Sequence, residues 1–518
     1  MSMKSRTIFD KLNTLFNGKD LRVTGGEVFP EVYPNDFSSY FPVMKYITEQ
    51  NCPNSSVYDI RDFGGLPVSD KDNADAINSA ISECSKNGGG TVIVSGGNYR
   101  THTIKLKSDI TLFIEAGSKL TAVLDSEKYE NNALIFADDC DNIAITGGGK
   151  ICGEGNFFGL KPILPPMTTA PEVIDVIALR CEYRKRLRFA HPSKYGRLCT
   201  LNNCRNVRIQ NIIFENSASW TLNICNCSVV KVSNFMINNN RHIANSDGID
   251  IVGSSNVEIK KCFISTGDDG ICLKNAAWLG CKAAMSHIHI SDCEIMSCTN
   301  SFKIGTETTF DIYDVLVENC KLLMTDIWPG SVSGISVESC DGSKVYDITV
   351  RNITMDRVTC PVFIRLCNRN RAAEVNEVTA HATELKIDSK ISSLPPSQKK
   401  LFDSKGEIQN VIIENLTATD IELPIIISGY SQILKGTKYI ENVMLRNLDL
   451  TYRSCQDIID RRLFIPEYAK DYPESWRFRN LPSYALFLRH AKNVRLQNLK
   501  CTPPVGTKRQ AEYLTDVE

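Results

Sequence analysis

Two short acidic turns carry the strongest chemical signal in the sequence: NSDGIDIVG from Asn245 and STGDDGICLK from Ser265. They supply Asp247 in the first and Asp268 with Asp269 in the second, a spacing of 268 − 247 = 21 residues. Carboxylates crowded into one glycine-rich corner repel one another when ionised, so at least one keeps its proton to higher pH. The result is an acid beside bases, which is what protonating a glycosidic oxygen while activating a water requires. Corner capping and calcium binding are the alternatives that residue types alone leave open. Strand alternation then sorts the neighbours. In DGIDI, GICLK, FKIG and VFIRL, the apolar Ile271, Leu273, Phe302, Ile304, Ile364 and Leu366 should point inward. Asp250, Lys274, Lys303 and Arg365 should therefore point outward beside the acidic corner, where the three cations either bind a substrate carboxylate or neutralise the aspartates.

A spacing of 21 residues brings side chains together only if the chain coils back on itself, and the sequence repeats in that way. NCRNVRIQNIIFENS at 203, CSVVKVSNFMINNN at 227, SSNVEIKKCFISTG at 254, SHIHISDCEIMSCT at 286, IYDVLVENCKLLMTD at 312 and KVYDITVRNITMDRV at 344 restate one phrase, which continues at 406, 438 and 491. Its apolar marker falls at Val207, Val230, Val257, Ile288, Val315 and Ile348. Each phrase reads as strand, tight corner, strand, and Asn suits the corner because it tolerates left-handed backbone. Such a coil cannot bury its own apolar face, but coils stacked about 4.8 Å apart form one continuous core. The expected fold is all-β, a right-handed parallel β-helix, with Cys204, Cys262, Cys293 and Cys320 filling an interior column.

The expected organisation is an N-terminal extension over 1–52, with short helices near 8–16 and 41–49, then a β-helix over 53–505 and a tail over 506–518. Within the β-helix, 53–125 forms the N-terminal cap and first coils, where NADAINSAISECSK reads as an amphipathic capping helix. Insertions at 157–198, 380–405 and 454–485 break the repeat, and loops leaving one face of a solenoid usually shape its binding site.

Composition narrows the classes. With 59 Lys+Arg against 60 Asp+Glu and a formal charge of −1, the 518-residue chain lacks the bulk charge of a nucleic-acid or anionic-membrane binder. No run of roughly 18 apolar residues appears, and the opening residues lack a signal-peptide pattern, so the expectation is a cytoplasmic protein whose 20 cysteines are reduced. Neither a metal site nor a cofactor is expected, because no Cys or His set has zinc-site spacing.

The same motifs resemble glycoside hydrolase family 28, the polygalacturonase and rhamnogalacturonase family. The likeness runs from VYDIRDFGG near Val57 through GGGTVIVSGGNY, LKSDITLFIEAGSKL, GGGKICGEG and SASWTLNICNCSVVKVSN, with NSDGID and GDDGICLK matching the two acidic motifs in order and spacing. It implies a right-handed β-helix and single-displacement hydrolysis, with Asp268 as general acid and Asp247 and Asp269 as bases. Two departures stand out. Asn300 occupies the position of the family His and Lys303 that of a Ser, while Arg365 remains from an Arg-Ile-Lys motif whose Lys is replaced by Cys367. In polygalacturonases that Arg/Lys pair grips a galacturonate carboxylate. His191 and His242 are candidates for the missing His, and the late segment FIPEYAKDYPESWRFRNLPSYALFLRH adds Glu467, Tyr472, Glu474 and Trp476, with Arg477 and Arg489 as further substrate ligands.

The resulting expectation is an exo-acting hydrolase of pectic or related uronate-containing oligosaccharides, with no nucleic-acid or membrane partner and with homo-oligomerisation left open. A pectate-lyase-like β-elimination enzyme and an inactive glycan-binding β-helix are the rival readings.

Overall fold

The register of the strands explains why the repeat takes the form it does. In the computed structural model, Val207 pairs with Val230, Val230 with Val257, Val257 with Ile288, Ile288 with Val315 and Val315 with Ile348, always in parallel. Val411, Val443 and Val494 extend the same row. The spacings in sequence are therefore coil lengths, and each coil places its apolar marker on the one before. The structure describes residues 47, 56–68, 71–157, 161–162, 189–190, 196–241, 243–324, 331–369, 406–432, 436–453, 465–478 and 481–518. The helices expected near 8–16 and 41–49, most of the insertion 157–198 and the insertion 380–405 lie outside the described residues, as do His191 and His242.

Among the described residues, 29 strands form one parallel sheet wound as a parallel β-helix, with two short antiparallel pairs besides, and inward-facing residues of successive coils make a continuous apolar core. The expected capping helix is Ala74–Lys86, which buries Ile77, Ala80, Ile81 and Cys84. Corners are made by residues with positive φ, mostly Asn, and several stack into hydrogen-bonded ladders. Asn352 donates to Asn319 at 3.0 Å, Asn415 to Asn352 at 3.0 Å, Asn447 to Asn415 at 3.0 Å and Asn498 to Asn447 at 2.9 Å. Stacking satisfies amides that every coil repeats, which is why the residue recurs.

Two expectations need correction. The cysteines make two columns instead of one: Cys204 neighbours Cys227, with its N–H 3.3 Å from that sulfur, while Cys262, Cys293 and Cys320 align on another face. Cys204 stands just before its strand, where Cys227 and Ser254 stand in the next two coils, whereas Cys262 lies 262 − 254 = 8 residues further along, beyond the bend and in register with Phe235. Residues 506–518 are not a tail in structure, since strand Gln510–Val517 pairs with Ser483–Thr502 and continues the ladder.

Candidate active site

One wall of the helix carries the chemistry. Strands Leu222–Cys225, Ile249–Val252, Ile271–Asn275, Asn300–Thr308, Ser331–Ser339, Val358–Leu366, Ile425–Ser428 and Ser483–Thr502 stack there in order. Alternation works as expected. Ile271, Leu273, Phe302, Ile304, Ile364 and Leu366 are fully buried in the core, and the residues between them project outward.

The acidic turns enter this wall at its corner. Ile249 pairs with Ile271 and Ile271 with Phe302, so Asp247 is stacked against Asp269 and Asp269 against Asn300, with Asp268 one residue earlier. The 21-residue spacing thus comes within one residue of the true offset. Asp247, Asp268 and Asp269 line a single cavity of about 340 Å³ together with Trp220, Asn245, Lys274, Lys303, Glu307, Tyr472, Glu474, Trp476 and Arg477.

Each carboxylate is held differently. Asp268 is half-buried and accepts from the Asn245 N–H at 2.8 Å, the Asp269 N–H at 3.1 Å and the Thr299 hydroxyl at 3.0 Å. Asp269 is buried; its Oδ1 accepts from Thr299 Oγ1 at 2.7 Å, Asn300 Nδ2 at 2.8 Å and the Asn300 N–H at 3.2 Å, while its Oδ2 lies 3.1 Å from Lys303 Nζ. Asp247 Oδ2 accepts from Lys274 Nζ at 3.1 Å, and its Oδ1, enclosed in the cavity wall, has no hydrogen-bond partner among the described residues. Asp250 sits behind the cavity, fully buried, at 2.6 Å from the same ammonium.

Burial sets the electrostatics here. Desolvation pushes the Asp247 carboxyl well above the ordinary aspartate range, against the pull of Lys274 and with help from Asp250, Asp268 and Asp269. Asp250 is raised to about 6, again chiefly by burial. Burial alone would lower the pKa of Lys274, yet Asp247 and Asp250 hold it well above the ordinary lysine value. Lys303 is likewise held up, by Asp269 first and then by Tyr472 and Glu338. Two carboxylates facing one ammonium cannot both be neutralised, so this group retains a proton into the weakly acidic range.

The expected cationic row divides in two. Lys274 and Lys303 do line the cavity, each bound to an aspartate. Arg365 and Arg489 do not. Lys303 is in register with Ser336 and Phe363, whereas Arg365 aligns with Glu338 and Ser428, two residues further along the strand. Arg365 is 1% exposed and gives its guanidinium to Ser428 O at 3.1 Å, Ser428 Oγ at 2.8 Å, Gly429 O at 2.7 Å and Glu467 O at 2.5 Å. Arg489 donates to Ile465 O at 2.8 Å and Pro466 O at 3.2 Å, and burial lowers its pKa to about 10. Both arginines pin the segment 465–478 against the wall. Among the expected ligands, Asn300 supports Asp269 from behind, and Glu467 is occupied by Ser431 and His490.

Sequence reasoning passed over Trp220, Glu307 and Glu338. The Trp220 ring covers Lys274 Nζ at 3.8 Å and also faces Arg197 at 4.7 Å. Its signal was present, an aromatic at the corner of the coil below Asp247. Glu338 is fully buried, is raised to about 8 mainly by burial, and has one oxygen without a hydrogen-bond partner among the described residues. Nothing in its local sequence marks it, because its setting comes from the neighbouring coil.

The family model of glycosyl hydrolases family 28 matches residues 84–393. The chain belongs to this family. A probable polygalacturonase of Arabidopsis thaliana is 25% identical over 322 residues, covering 60% of this chain and 61% of that relative. A polygalacturonase of Ralstonia solanacearum is 24% identical over 394 residues, 67% of this chain and 70% of the relative. The match spans about 61% of the length of the first plant relatives. Among solved structures, an exopolygalacturonase from Thermotoga maritima shares the fold with a TM-score of 0.58 at 18% identity, over 88% of this chain and 95% of that one. In this family 28 chain the two acidic motifs stack at one corner of the coil, held by Thr299, Asn300, Lys274 and Lys303.

Proposed function

We propose that this chain is an inverting glycoside hydrolase that acts from the end of pectic or related uronate-containing oligosaccharides. The observation that carries the reading is the convergence of Asp247, Asp268 and Asp269 on one cavity, with the half-buried Asp268 the most accessible of the three. Asp268 is the proton donor to the leaving oxygen. Asp247 and Asp269 take the proton of the attacking water, and Asp247 is the better placed because its Oδ1 has no hydrogen-bond partner among the described residues. Lys274 and Lys303 favour the ionised form of the two bases and fix their orientation. The curated relatives in the family are named polygalacturonases, which supports the substrate class.

What borders the cavity supports the reading of action at a chain end. Tyr472, Glu474, Trp476 and Arg477 line it from the segment 465–478, and behind them Phe478 and Leu481 pack on Phe363, Ile426 and Phe487. A groove open along the solenoid would admit the middle of a polymer, and a segment packed across one half of the wall favours a chain end.

Asp268→Asn should lower kcat by about 10²–10⁴-fold while still binding substrate, because an amide has no proton to give. Proton NMR of the first product should show the anomer opposite in configuration to the substrate, and a time course should release units from one end. Random internal cleavage would overturn the exo reading. An unsaturated, ultraviolet-absorbing product lost on chelation would replace hydrolysis by elimination.

A further inference from the structure

The structure holds several cations near the cavity, but its geometry leaves one of them able to receive an anionic group. Lys274 Nζ is shared between Asp250 at 2.6 Å and Asp247 at 3.1 Å, and Lys303 Nζ lies 3.1 Å from Asp269. Arg365 and Arg489 are spent on backbone carbonyls of 428–429 and 465–467. Arg369 lies across the Tyr472 ring at 4.8 Å and is not part of the cavity lining. Arg477 differs from all of these. It lines the cavity, its side chain is 30% exposed, and it pairs with Asp471 at 3.7 Å, beyond hydrogen-bond reach. Its Nε is enclosed without a hydrogen-bond partner among the described residues.

We propose that Arg477 binds a carboxylate of the substrate, and so selects a uronate over a neutral sugar in the cavity. The proposal rests on the hydrolase reading above and names its specificity determinant. Arg477 is prepared for the task by its surroundings. Its guanidinium lies 4.9 Å over the Trp476 ring, which restricts the plane of the fork. The 3₁₀ turn Ser475–Phe478 that carries it is fixed by Ser475 Oγ to Val332 O at 3.0 Å and to Ser333 Oγ at 3.1 Å, and by Phe478 in the apolar cluster beneath. The neighbouring Glu474 accepts from the Trp476 indole N–H. A preorganised planar fork pairs bidentately with a carboxylate, at little further cost in side-chain entropy. Arg365, at the position where the family resemblance places a substrate ligand, anchors the segment, and the segment brings its own arginine to the cavity.

The test compares trigalacturonate with the same trisaccharide whose terminal C6 carboxylate has been reduced to the alcohol. In the full-length protein, Arg477→Met should raise KM for trigalacturonate about tenfold or more with kcat within about threefold, leave the reduced analogue unchanged, and be partly rescued by Arg477→Lys. A purely structural role would move both substrates together, and that outcome, or no change in either, overturns the proposal. If the wild-type protein cleaves neither compound, the hydrolase reading falls, but calorimetry still decides the inference. With Asp268→Asn, trigalacturonate should bind more tightly than its reduced analogue, and adding Arg477→Met should remove the difference. Equal binding of the two, or binding of neither, would sink it.

Discussion

The outward face of one wall behaves as two different materials along its length. In the coils around Asp247 and Lys303, outward positions are Asn223, Asp250, Cys272, Lys303 and Ser336, and they back a polar cavity. Further along the same column, the positions become Phe363, Ile426 and Phe487, sealed by Trp476, Phe478 and Leu481 into a second small core. The backbone is the same in both halves. What differs is how the segment 465–478 meets it: Phe478 packs directly on one half, whereas Tyr472, Glu474, Trp476 and Arg477 border a cavity in front of the other, and the contrast shows that a solenoid acquires a site by the space a segment leaves as much as by what the wall displays.

The largest effect should come from undoing the covered half. Phe478 contacts Phe363 and Phe487 with ring centroids at 5.9 Å and Tyr468 at 5.6 Å, and both buried arginines lie over its ring. Phe478→Ala should cost about 3–5 kcal/mol, seen as a lowered Tm and faster proteolysis within 465–481. Products should shift towards internal cleavage; an unchanged product pattern would break the link between the covered half and chain-end action.

The open half is probed next by pH. A base must be ionised, and Asp247 is pushed well above the ordinary aspartate range while Asp250 is raised to about 6. Activity should therefore fall on acidification at a higher pH than ordinary aspartates would give. Lys274→Met removes the cation that favours the ionised forms, so the acidic limb of the kcat/KM profile should move up by about one unit or more. A limb that stays in place would show that the lysine does not tune the bases.

The smallest effect should come from the corner ladder, which serves both halves alike. Asn447 has φ of 57° and links Asn415 to Asn498. Asn447→Ala should cost about 1–2 kcal/mol in thermal melting from the lost bonds and the left-handed backbone, with kcat/KM unchanged. Asn447→Gly, which accepts the backbone angle, should recover part of the loss.

The sequence was most legible where one coil repeats another. The row from Val207 to Ile348, the capping helix, the inward alternation in GICLK, FKIG and VFIRL, and the meeting of Asp247 with Asp268 and Asp269 all follow from local periodicity multiplied by stacking. The two cysteine columns were not separable by eye, because a bend within a strand changes which face a residue meets.

The fate of the cations was outside the reach of that reasoning. Lys303 and Arg365 are both outward residues of phrases two coils apart, equivalent by alternation, yet one borders the cavity and the other lies under residues about a hundred positions downstream. Local sequence determines the direction in which a side chain leaves the strand, since the pleat has a period of two. Whether it then meets solvent, a substrate or another part of the chain depends on long-range docking, and no periodicity encodes the partner. The sequence by itself thus determined the coil, its corners and the acidic turns; the tertiary structure decided which charges remain available, because burial and pairing are properties of neighbours brought together only by the fold.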